Sequence, residues 1–233
     1  MKYSNVHKAT FIDRPNRFIA HVMLKEDGKE VIETVHVKNT GRCRELLIKG
    51  VTVYLEKSSN PDRKTGYDLV AVEKAGIGII NIDSQAPNKV VAEWLKTKGF
   101  TYIKQEYVYG GSRLDFYMEK NEEKFLMEVK GCTLEIDGTG YFPDAPTDRG
   151  VKHLKELTGA VKKGYHCIIA FVIQMENIYD VKPNTTMHKE FADALHSAEE
   201  AGVEVLLLPC FVTPDELVID DRKAGAKSGA EIV

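Results

Sequence analysis

The sequence lacks the features that mark secreted and membrane proteins. Its four cysteines, at positions 43, 132, 167 and 210, form no CxxC or Cys/His pair, so neither a zinc site nor a disulfide framework is expected. No apolar run approaches the roughly 18 residues that a membrane helix needs. Residues 1–11 contain no apolar segment of a secretory signal. These absences favour a protein of the reducing cytoplasm that does not associate with a membrane.

Short motifs of several enzyme classes are also missing. The sequence contains no GxGxxG, GxxxxGK[ST] or GxSxG pattern, which argues against dinucleotide-binding, P-loop and α/β-hydrolase functions. Direct sugar chemistry has little support, because only one paired-carboxylate pattern stands out.

Composition and charge are those of a globular protein with two unlike halves. The 233 residues are 43% hydrophobic and 29% charged, and the net charge is -3, a length that allows one large domain or two small ones. Residues 1–83 carry a positive excess of three, and residues 84–233 a negative excess of six. A basic module joined to an acidic one is compatible with a polyanionic partner. The acidic half either serves solubility or gathers carboxylates for a metal ion.

The first 83 residues show the alternation of short β-strands. Apolar residues recur at every second position over 18–24 and 51–55, and shorter apolar stretches lie at 35–37, 69–72 and 77–82. Five or six short strands separated by turns indicate a small barrel or sandwich, and the length of about 80 residues favours an OB-like barrel over 1–83.

The pattern changes at residue 84, where helical spacing first appears. From there the order of predicted elements is α-β-β-β-α-β-α-β, which indicates an α/β domain over 84–219 and a two-domain α+β protein. One predicted helix begins at Thr147 or Asp148, and its apolar face is formed by Val151, Leu154, Thr158 and Val161. Residues 220–233 lack periodicity and are expected to form a mobile tail.

Three charged side chains converge if two predicted strands form a hairpin. Side chains alternate along a strand, so Asp115 on one strand shares a face with Glu128 and Lys130 on the next. The apolar faces of both strands are expected under the helices, which places the charged trio on the opposite side.

Two neighbouring carboxylates repel each other unless a cation lies between them. Mg²⁺ suits such a site because it prefers oxygen ligands, and a nearby lysine can orient or deprotonate a water for phosphodiester hydrolysis. The same residues would also occur on a solvated sheet face with a cross-strand ion pair.

Five segments of the chain resemble the sugar fermentation stimulation protein A family. They are VKNTGRC at 37–43, RKTGYD at 63–68, GSRLDF at 111–116, EVKGCTL at 128–134 and FPDAPTDRGVKHL at 142–154. The resemblance implies an OB-like N-terminal domain and a C-terminal restriction-endonuclease-like domain of the PD-(D/E)-x-K type with a mixed central sheet. It also implies DNA binding linked to the expression of sugar-utilisation (maltose) genes.

The resemblance further implies roles for individual residues. Asp115 and Glu128 match the metal ligands of the nuclease pattern, Lys130 matches its catalytic lysine, and the carbonyl of Val129 is a further ligand for Mg²⁺ or Mn²⁺. Leu114 stands where the pattern name has proline. Two functions therefore remain open: a metal-dependent nuclease, and a DNA-binding regulator of sugar-utilisation genes without turnover.

Other basic residues are candidates for contacts with nucleic acid. Those on the helix after Thr147 lie on the face opposite its expected apolar face. This polar face is either a solvated surface or a surface near a phosphate. Those in the barrel cluster in predicted turns beside aromatic residues, as in OB folds that bind single strands, although surface arginines also serve solubility. DNA is the expected partner, and the sequence separates neither single from double strands nor DNA from RNA. The candidates are Arg17, Arg42, Arg44, Arg63, Lys64, Arg113, Arg149, Lys152 and His153.

Overall fold

The chain forms two compact units in a computed structural model that describes residues 1–26, 28–39 and 41–229. The barrel unit comprises Met1–Ala86 together with the short segments Gln174–Asn177 and Cys210–Val218. The sheet unit comprises Pro87–Ile173, Ile178–Pro209 and the chain from Ile219 onwards. The sequence patterns did not reveal the two later segments that return to the barrel unit. Thr40 of the VKNTGRC segment and residues 230–233 of the expected tail lie outside the described residues.

Five of six strands in the barrel unit close into a ring. β1 pairs with β2 and β4, β2 with β3, β4 with β5, and a parallel pairing of β3 with β5 completes the closure. Alternate side chains such as Ala20, Val22 and Leu24 point inward and are almost fully buried. This topology confirms the predicted OB-like barrel. The strands are β1 (Val6–Asn16), β2 (Ile19–Glu26), β3 (Lys29–Val37), β4 (Thr52–Lys57), β5 (Tyr67–Lys74) and β6 (Gly78–Asn81).

The sheet unit is built on a mixed sheet with three helices. In chain order the elements that follow β6 are α1 (Ala86–Leu95), β7 (Tyr102–Tyr109), β8 (Ser112–Lys120), β9 (Glu123–Cys132), β10 (Leu134–Ile136), β11 (Thr139–Phe142), α2 (Asp148–Val161), β12 (His166–Ile173), β13 (Val181–Pro183), α3 (Lys189–Glu200), β14 (Glu204–Val212), β15 (Leu217–Ile219) and β16 (Gly225–Ala226). The main sheet has the order β15-β14-β12-β9-β8-β7, with β16 paired to β14. Its pairs β7–β8 and β8–β9 are antiparallel, whereas β9–β12 and β12–β14 are parallel, so the predicted mixed sheet is confirmed.

Short strands account for most differences from the predicted element order. β10, β11 and β13 form a separate three-stranded sheet; each has three or four residues, too few for a periodic signal. Residues 220–229 also differ from the expected tail, because β16 pairs with β14 and Asp221 accepts a hydrogen bond from the Trp94 indole at 2.8 Å. Both features depend on distant partners and leave no local pattern.

Helix α2 buries a different face from the one predicted. Thr147 caps the helix by accepting a hydrogen bond from the Gly150 N–H at 3.1 Å. The buried positions are Gly150, His153, Leu154, Leu157 and Ala160. The prediction followed apolar residues alone and therefore placed His153 on the outer face.

The helices of the described chain are all too short or too polar to cross a lipid bilayer.

Candidate metal centre

Two carboxylates lie where β8 and β9 separate. The antiparallel pairing of these strands runs from Lys120–Glu123 to Phe116–Met127, and Asp115 and Glu128 are the next residues beyond the last pair. β9 continues in parallel pairing with β12, where Glu128 is opposite Ile169. The sequence analysis brought these two residues together for the same reason, the alternation of side chains along a hairpin.

The Asp115 carboxylate is held in place by two N–H donors. Its Oδ1 accepts a hydrogen bond from Asn88 Nδ2 of α1, and its Oδ2 accepts one from the Val129 backbone N–H, each at 2.7 Å. The N–H and C=O of one residue in an extended strand point to the same edge, so the Val129 carbonyl also faces the gap between the strands. Asn88 gave no signal in the sequence, since no motif connects it to Asp115.

Glu128 is buried with one oxygen occupied and the other free of hydrogen bonds. Only 2% of the residue is exposed. Its Oε1 accepts a hydrogen bond from Lys130 Nζ at 2.5 Å and also contacts His153 Nδ1. Its Oε2 is buried and has no hydrogen-bond partner among the described residues. A buried oxygen in this state is costly unless another ligand satisfies it.

The environment shifts the pKa values of the two acids in opposite directions. Burial, followed by the negative charge of Glu128, raises the pKa of Asp115 above its ordinary value. Burial alone would also raise the pKa of Glu128, but the His153 hydrogen bond and the Lys130 charge outweigh it and hold that pKa below the ordinary value. Glu128 is therefore the more firmly ionised acid, whereas at Asp115 the charge of Lys130 and the two hydrogen bonds only partly offset the effects of burial and of Glu128.

His153 lies inside the site and not on the surface where the sequence analysis placed it. The residue is 3% exposed, and its Nε2 accepts a long hydrogen bond from Arg149 Nε at 3.4 Å. A neutral imidazole with its proton on Nδ1 satisfies this contact and the contact to Glu128 together. His153 is thus buried away from an external nucleic acid and connects exposed Arg149 to Glu128.

The carboxylate side of the hairpin is also more covered than expected. Tyr117 and Leu126, which share the faces of Asp115 and Glu128, are 7% and 0% exposed. Asn88 of α1 and His153 of α2 reach the two acids. The expectation that the charged trio lies on a side without helices was wrong, because strands in the middle of this sheet are covered on both faces.

The donor set fits a hard divalent cation. Each Asp115 oxygen accepts one hydrogen bond and keeps lone pairs, Glu128 Oε2 is unengaged among the described residues, and the Val129 carbonyl faces the same gap. Such oxygen ligands suit Mg²⁺, Mn²⁺ and Ca²⁺, and they do not favour metals that prefer nitrogen or sulfur.

A second group of potential metal ligands lies elsewhere in the sheet unit. Ligand atoms of Asp148, His188 and Glu190 lie within 4.8 Å of one another, a cluster that the sequence analysis did not find. The Thr147 backbone N–H donates to His188 Nδ1 at 3.2 Å, so the neutral ring carries its proton on Nε2, the atom that faces both acids. That nitrogen is then a donor and not a ligand. Asp148 and Glu190 sit in the first turns of α2 and α3, where negative charge is favoured without any ion.

The remaining basic candidates fall into two groups. Lys64, Arg113, Arg149 and Lys152 are exposed; Arg113 lies 3.4 Å from Glu106, and Lys152 donates to the Gly111 carbonyl. Arg17, Arg42 and Arg44 line one pocket in the barrel unit.

Arg63 is committed to an internal partner. Its guanidinium donates two hydrogen bonds to the carboxylate of Asp68, at 2.7 and 2.9 Å. Burial would raise the pKa of Asp68, but the Arg63 and His36 hydrogen bonds outweigh it and hold that pKa below 3.8. Arg63 thus stabilises the barrel unit by neutralising a buried acid.

Replacing Arg63 with alanine is expected to lower the stability of the protein by about 1 kcal/mol at pH 7, a charged hydrogen bond discounted for partial exposure of the arginine. The folded-state pKa of Asp68 is depressed, so the stabilisation is present above pH 3.8 and is lost as the pH falls through the folded-state pKa. Urea unfolding of both proteins as a function of pH measures this difference. A matched Lys64→Ala variant should unfold like the parent, and equal losses in both variants would contradict the structural role.

Two family descriptions match the chain. Residues 12–82 match the SfsA N-terminal OB domain, and residues 85–216 match the sugar fermentation stimulation protein RE domain. Together the two matches span most of the chain.

Curated relatives and a solved structure agree with these matches. The sugar fermentation stimulation protein homolog of Desulfitobacterium hafniense (strain Y51) is 52% identical over 225 residues, covering 95% of this chain and 96% of the relative. The homolog of Ruminiclostridium cellulolyticum is 53% identical over 226 residues, covering 95% and 98%. The structure of Pyrococcus furiosus SfsA in complex with Ca²⁺ superposes with a TM-score of 0.82 at 31% identity, covering 94% of this chain and 95% of that chain.

Proposed function

The chain belongs to the sugar fermentation stimulation protein family, and we propose that it binds DNA and cleaves phosphodiester bonds with the help of Mg²⁺ or Mn²⁺. The observation that carries the proposal is the pair Asp115 and Glu128. One acid has a buried, unengaged oxygen, and the other has a pKa raised by burial and by its neighbour. Both conditions are relieved by one divalent cation held between them.

The side chains around the pair have distinct roles. Asp115, Glu128 and the Val129 carbonyl would hold the cation, which supplies positive charge and Lewis acidity at a phosphate oxygen. Asn88 and the Val129 N–H fix the Asp115 carboxylate, and the imidazole of His153 fixes Glu128. Lys130 Nζ lies at the edge of the pair and is 13% exposed, a position suited to orienting the attacking water. Cleavage in this way leaves a 5′-phosphate and a 3′-hydroxyl.

The exposed basic residues supply the contacts to the polymer backbone. Arg113, Arg149 and Lys152 are exposed side chains on β8 and α2, the elements that carry Asp115 and His153. Such contacts give affinity that falls with salt and carries little base specificity. The Ca²⁺ complex of the Pyrococcus furiosus relative supports a divalent cation in this family, and Ca²⁺ and Mg²⁺ share a preference for oxygen ligands.

A DNA-binding regulator of sugar-utilisation genes without turnover is the second candidate. The family description, which refers to stimulation of sugar fermentation, favours it. In that case the carboxylate pair would hold a structural cation, and the basic surface alone would carry the function.

A cleavage assay separates the two candidates. Purified full-length protein is incubated with single- and double-stranded DNA and with RNA, in Mg²⁺, in Mn²⁺ and in EDTA. We expect metal-dependent cleavage that Lys130→Ala reduces by about 100-fold or more, because Lys130 is the side chain that would orient or deprotonate the attacking water. Lys124→Ala is the matched control, since Lys124 is an exposed lysine on the same strand.

The outcomes are distinct. Cleavage that persists in EDTA, or that Lys124→Ala reduces as much as Lys130→Ala, contradicts the proposed site. Salt-sensitive binding with no cleavage by the parent protein under any condition supports the regulator.

A further inference from the structure

Four arginines line one pocket of the barrel unit. The pocket has a volume of about 240 Å³ and is also lined by Asn16, Gly41 and Leu47. No carboxylate is among the described residues that line it. The arginines are Arg14, Arg17, Arg42 and Arg44.

Arg14 holds the walls of the pocket together and removes its acceptors. Its guanidinium donates to the backbone carbonyls of Arg42, Arg17 and Asn39 at 2.7, 2.6 and 2.8 Å. The carbonyl oxygens of Arg42 and Arg17, two residues that line the pocket, would repel an anion and are thereby occupied. Arg14 Nε is buried and lacks an acceptor among the described residues.

Asn16 also presents hydrogen-bond donors to the pocket. Its Oδ1 accepts hydrogen bonds from the Phe18 and Ile19 backbone N–H groups, at 2.9 and 3.1 Å. With the oxygen engaged, the side-chain amide can offer only N–H donors to a ligand.

The other three arginines are exposed, and the Arg17 guanidinium lies over the Phe18 ring, 4.9 Å from its centre. No acid of the described residues forms an ion pair with Arg17, Arg42 or Arg44. Between the last two lies Cys43, a buried side chain whose backbone is in the left-handed region with φ of 46°. This conformation is unfavourable for a residue other than glycine. It buries the thiol while both flanking guanidinium groups line the pocket.

We propose that this pocket binds a dianionic phosphate monoester. A monoester carries close to two negative charges at neutral pH and three terminal oxygens, whereas a backbone phosphodiester carries one charge and two free oxygens. Guanidinium groups without an acidic partner, together with the N–H donors of the pocket, match the phosphate monoester because it has more charge and more acceptor oxygens than the phosphodiester. The volume is below the roughly 300–1,000 Å³ of pockets for larger ligands, so it accommodates the phosphate with little of the group attached to it.

Two sources supply this chemistry: the phosphorylated end of a nucleic-acid strand and a small sugar phosphate. The inference goes beyond the proposed function and requires no property of the Asp115 and Glu128 pair.

The test measures binding by the full-length protein in EDTA, so that metal-dependent cleavage cannot contribute. Fluorescence anisotropy compares one oligonucleotide with a 5′-phosphate, with a 3′-phosphate and with neither. Thermal unfolding with inorganic phosphate and with ribose 5-phosphate, each against chloride at equal ionic strength, tests the small-molecule source. We expect a phosphorylated end to tighten binding by about tenfold, or the two small phosphates to raise the midpoint of unfolding.

Variants assign the effect to the pocket. Arg42→Ala and Arg44→Ala, both at exposed positions, should make the dissociation constants for the phosphorylated and the unphosphorylated oligonucleotide nearly equal, which brings their ratio close to one. They should also remove the phosphate-dependent rise in the midpoint of unfolding. Arg44→Lys keeps the positive charge but loses the paired N–H donors of the guanidinium, so its effects should lie between those of the parent protein and of Arg44→Ala. Lys25→Ala is the control, since it removes one exposed charge from the same unit outside the pocket and should keep the full ratio.

Discrimination by strand ends alone assigns the pocket to the polymer, and a shift with ribose 5-phosphate assigns it to a small sugar phosphate. The proposal is overturned if neither a phosphorylated end nor a small phosphate has an effect. It is also overturned if the effect survives in the Arg42→Ala, Arg44→Ala double variant.

Discussion

Replacing Asp115 with asparagine is expected to stabilise the metal-free protein and to abolish its stabilisation by Mn²⁺. Burial and the charge of Glu128 raise the pKa of Asp115, so the ionised carboxylate costs stability at neutral pH. Asparagine keeps the shape without the charge, and the Asn88 amide that donates to Asp115 can turn its oxygen towards the new NH₂ group. Removing a charge of this kind from a functional site is typically worth about 1 kcal/mol, or roughly 2–4 °C in the unfolding midpoint for a chain of this size.

The difference in stability between Asp115→Asn and the parent protein reverses its sign when the cation is present. A ligand that binds only the folded state at 100 times its dissociation constant contributes about 2.7 kcal/mol, and the parent protein alone should gain it. Thermal unfolding in EDTA and across a Mn²⁺ titration measures both effects.

The dependence on pH has a defined direction. The folded-state pKa of Asp115 is raised above 3.8, so the parent loses stability as the pH rises through that range, and the advantage of Asp115→Asn disappears in acid. Asp137→Asn is the control, because Asp137 is exposed and its φ of 49° suits asparagine. A variant of Asp115 that is less stable in EDTA yet still responds to Mn²⁺ would show that the carboxylate does not hold the cation.

Replacing His153 with alanine is expected to cause the largest loss of stability, about 3 kcal/mol. The imidazole is one of two side chains that satisfy the buried Glu128 carboxylate, and removing one partner of a buried charge typically costs this much. The cost should fade in acid. The pKa of Glu128 is depressed below 4.5, so the stability that its partners provide is present above that pH and is lost as the pH falls through the folded-state value.

A double-mutant cycle isolates the interaction. Glu128→Gln removes the charge, so His153→Ala should cost clearly less in that background. His196→Ala is the control, because His196 is exposed and pairs with Glu200 on the surface; it should change the free energy of unfolding by less than about 0.5 kcal/mol. Equal losses for His153→Ala and His196→Ala, measured by urea unfolding, would contradict the buried pair.

The sequence predicted those features that strict alternation determines. Alternation along β8 and β9 was enough to place Asp115 and Glu128 on one side of a hairpin, and alternation in the first 83 residues was enough for the barrel. It could not predict that Asn88 reaches Asp115, since the two are far apart in sequence. The helical pattern also did not predict that His153 is buried, because a polar residue within a helix is expected to be exposed unless its buried partner is known.

The barrel unit is not continuous in the chain, and this has a consequence for the order of folding during synthesis. Gln174 donates from its side-chain amide to the Asn81 and Asp83 carbonyls, and the Leu217 N–H donates to the Met1 carbonyl. The barrel unit is therefore completed only after residues 210–218 have been synthesised, although its strands β1 to β6 end at Asn81. Met1 and the chain at 81–83 gain these partners late in translation, whereas an N-terminal domain usually matures before its successor.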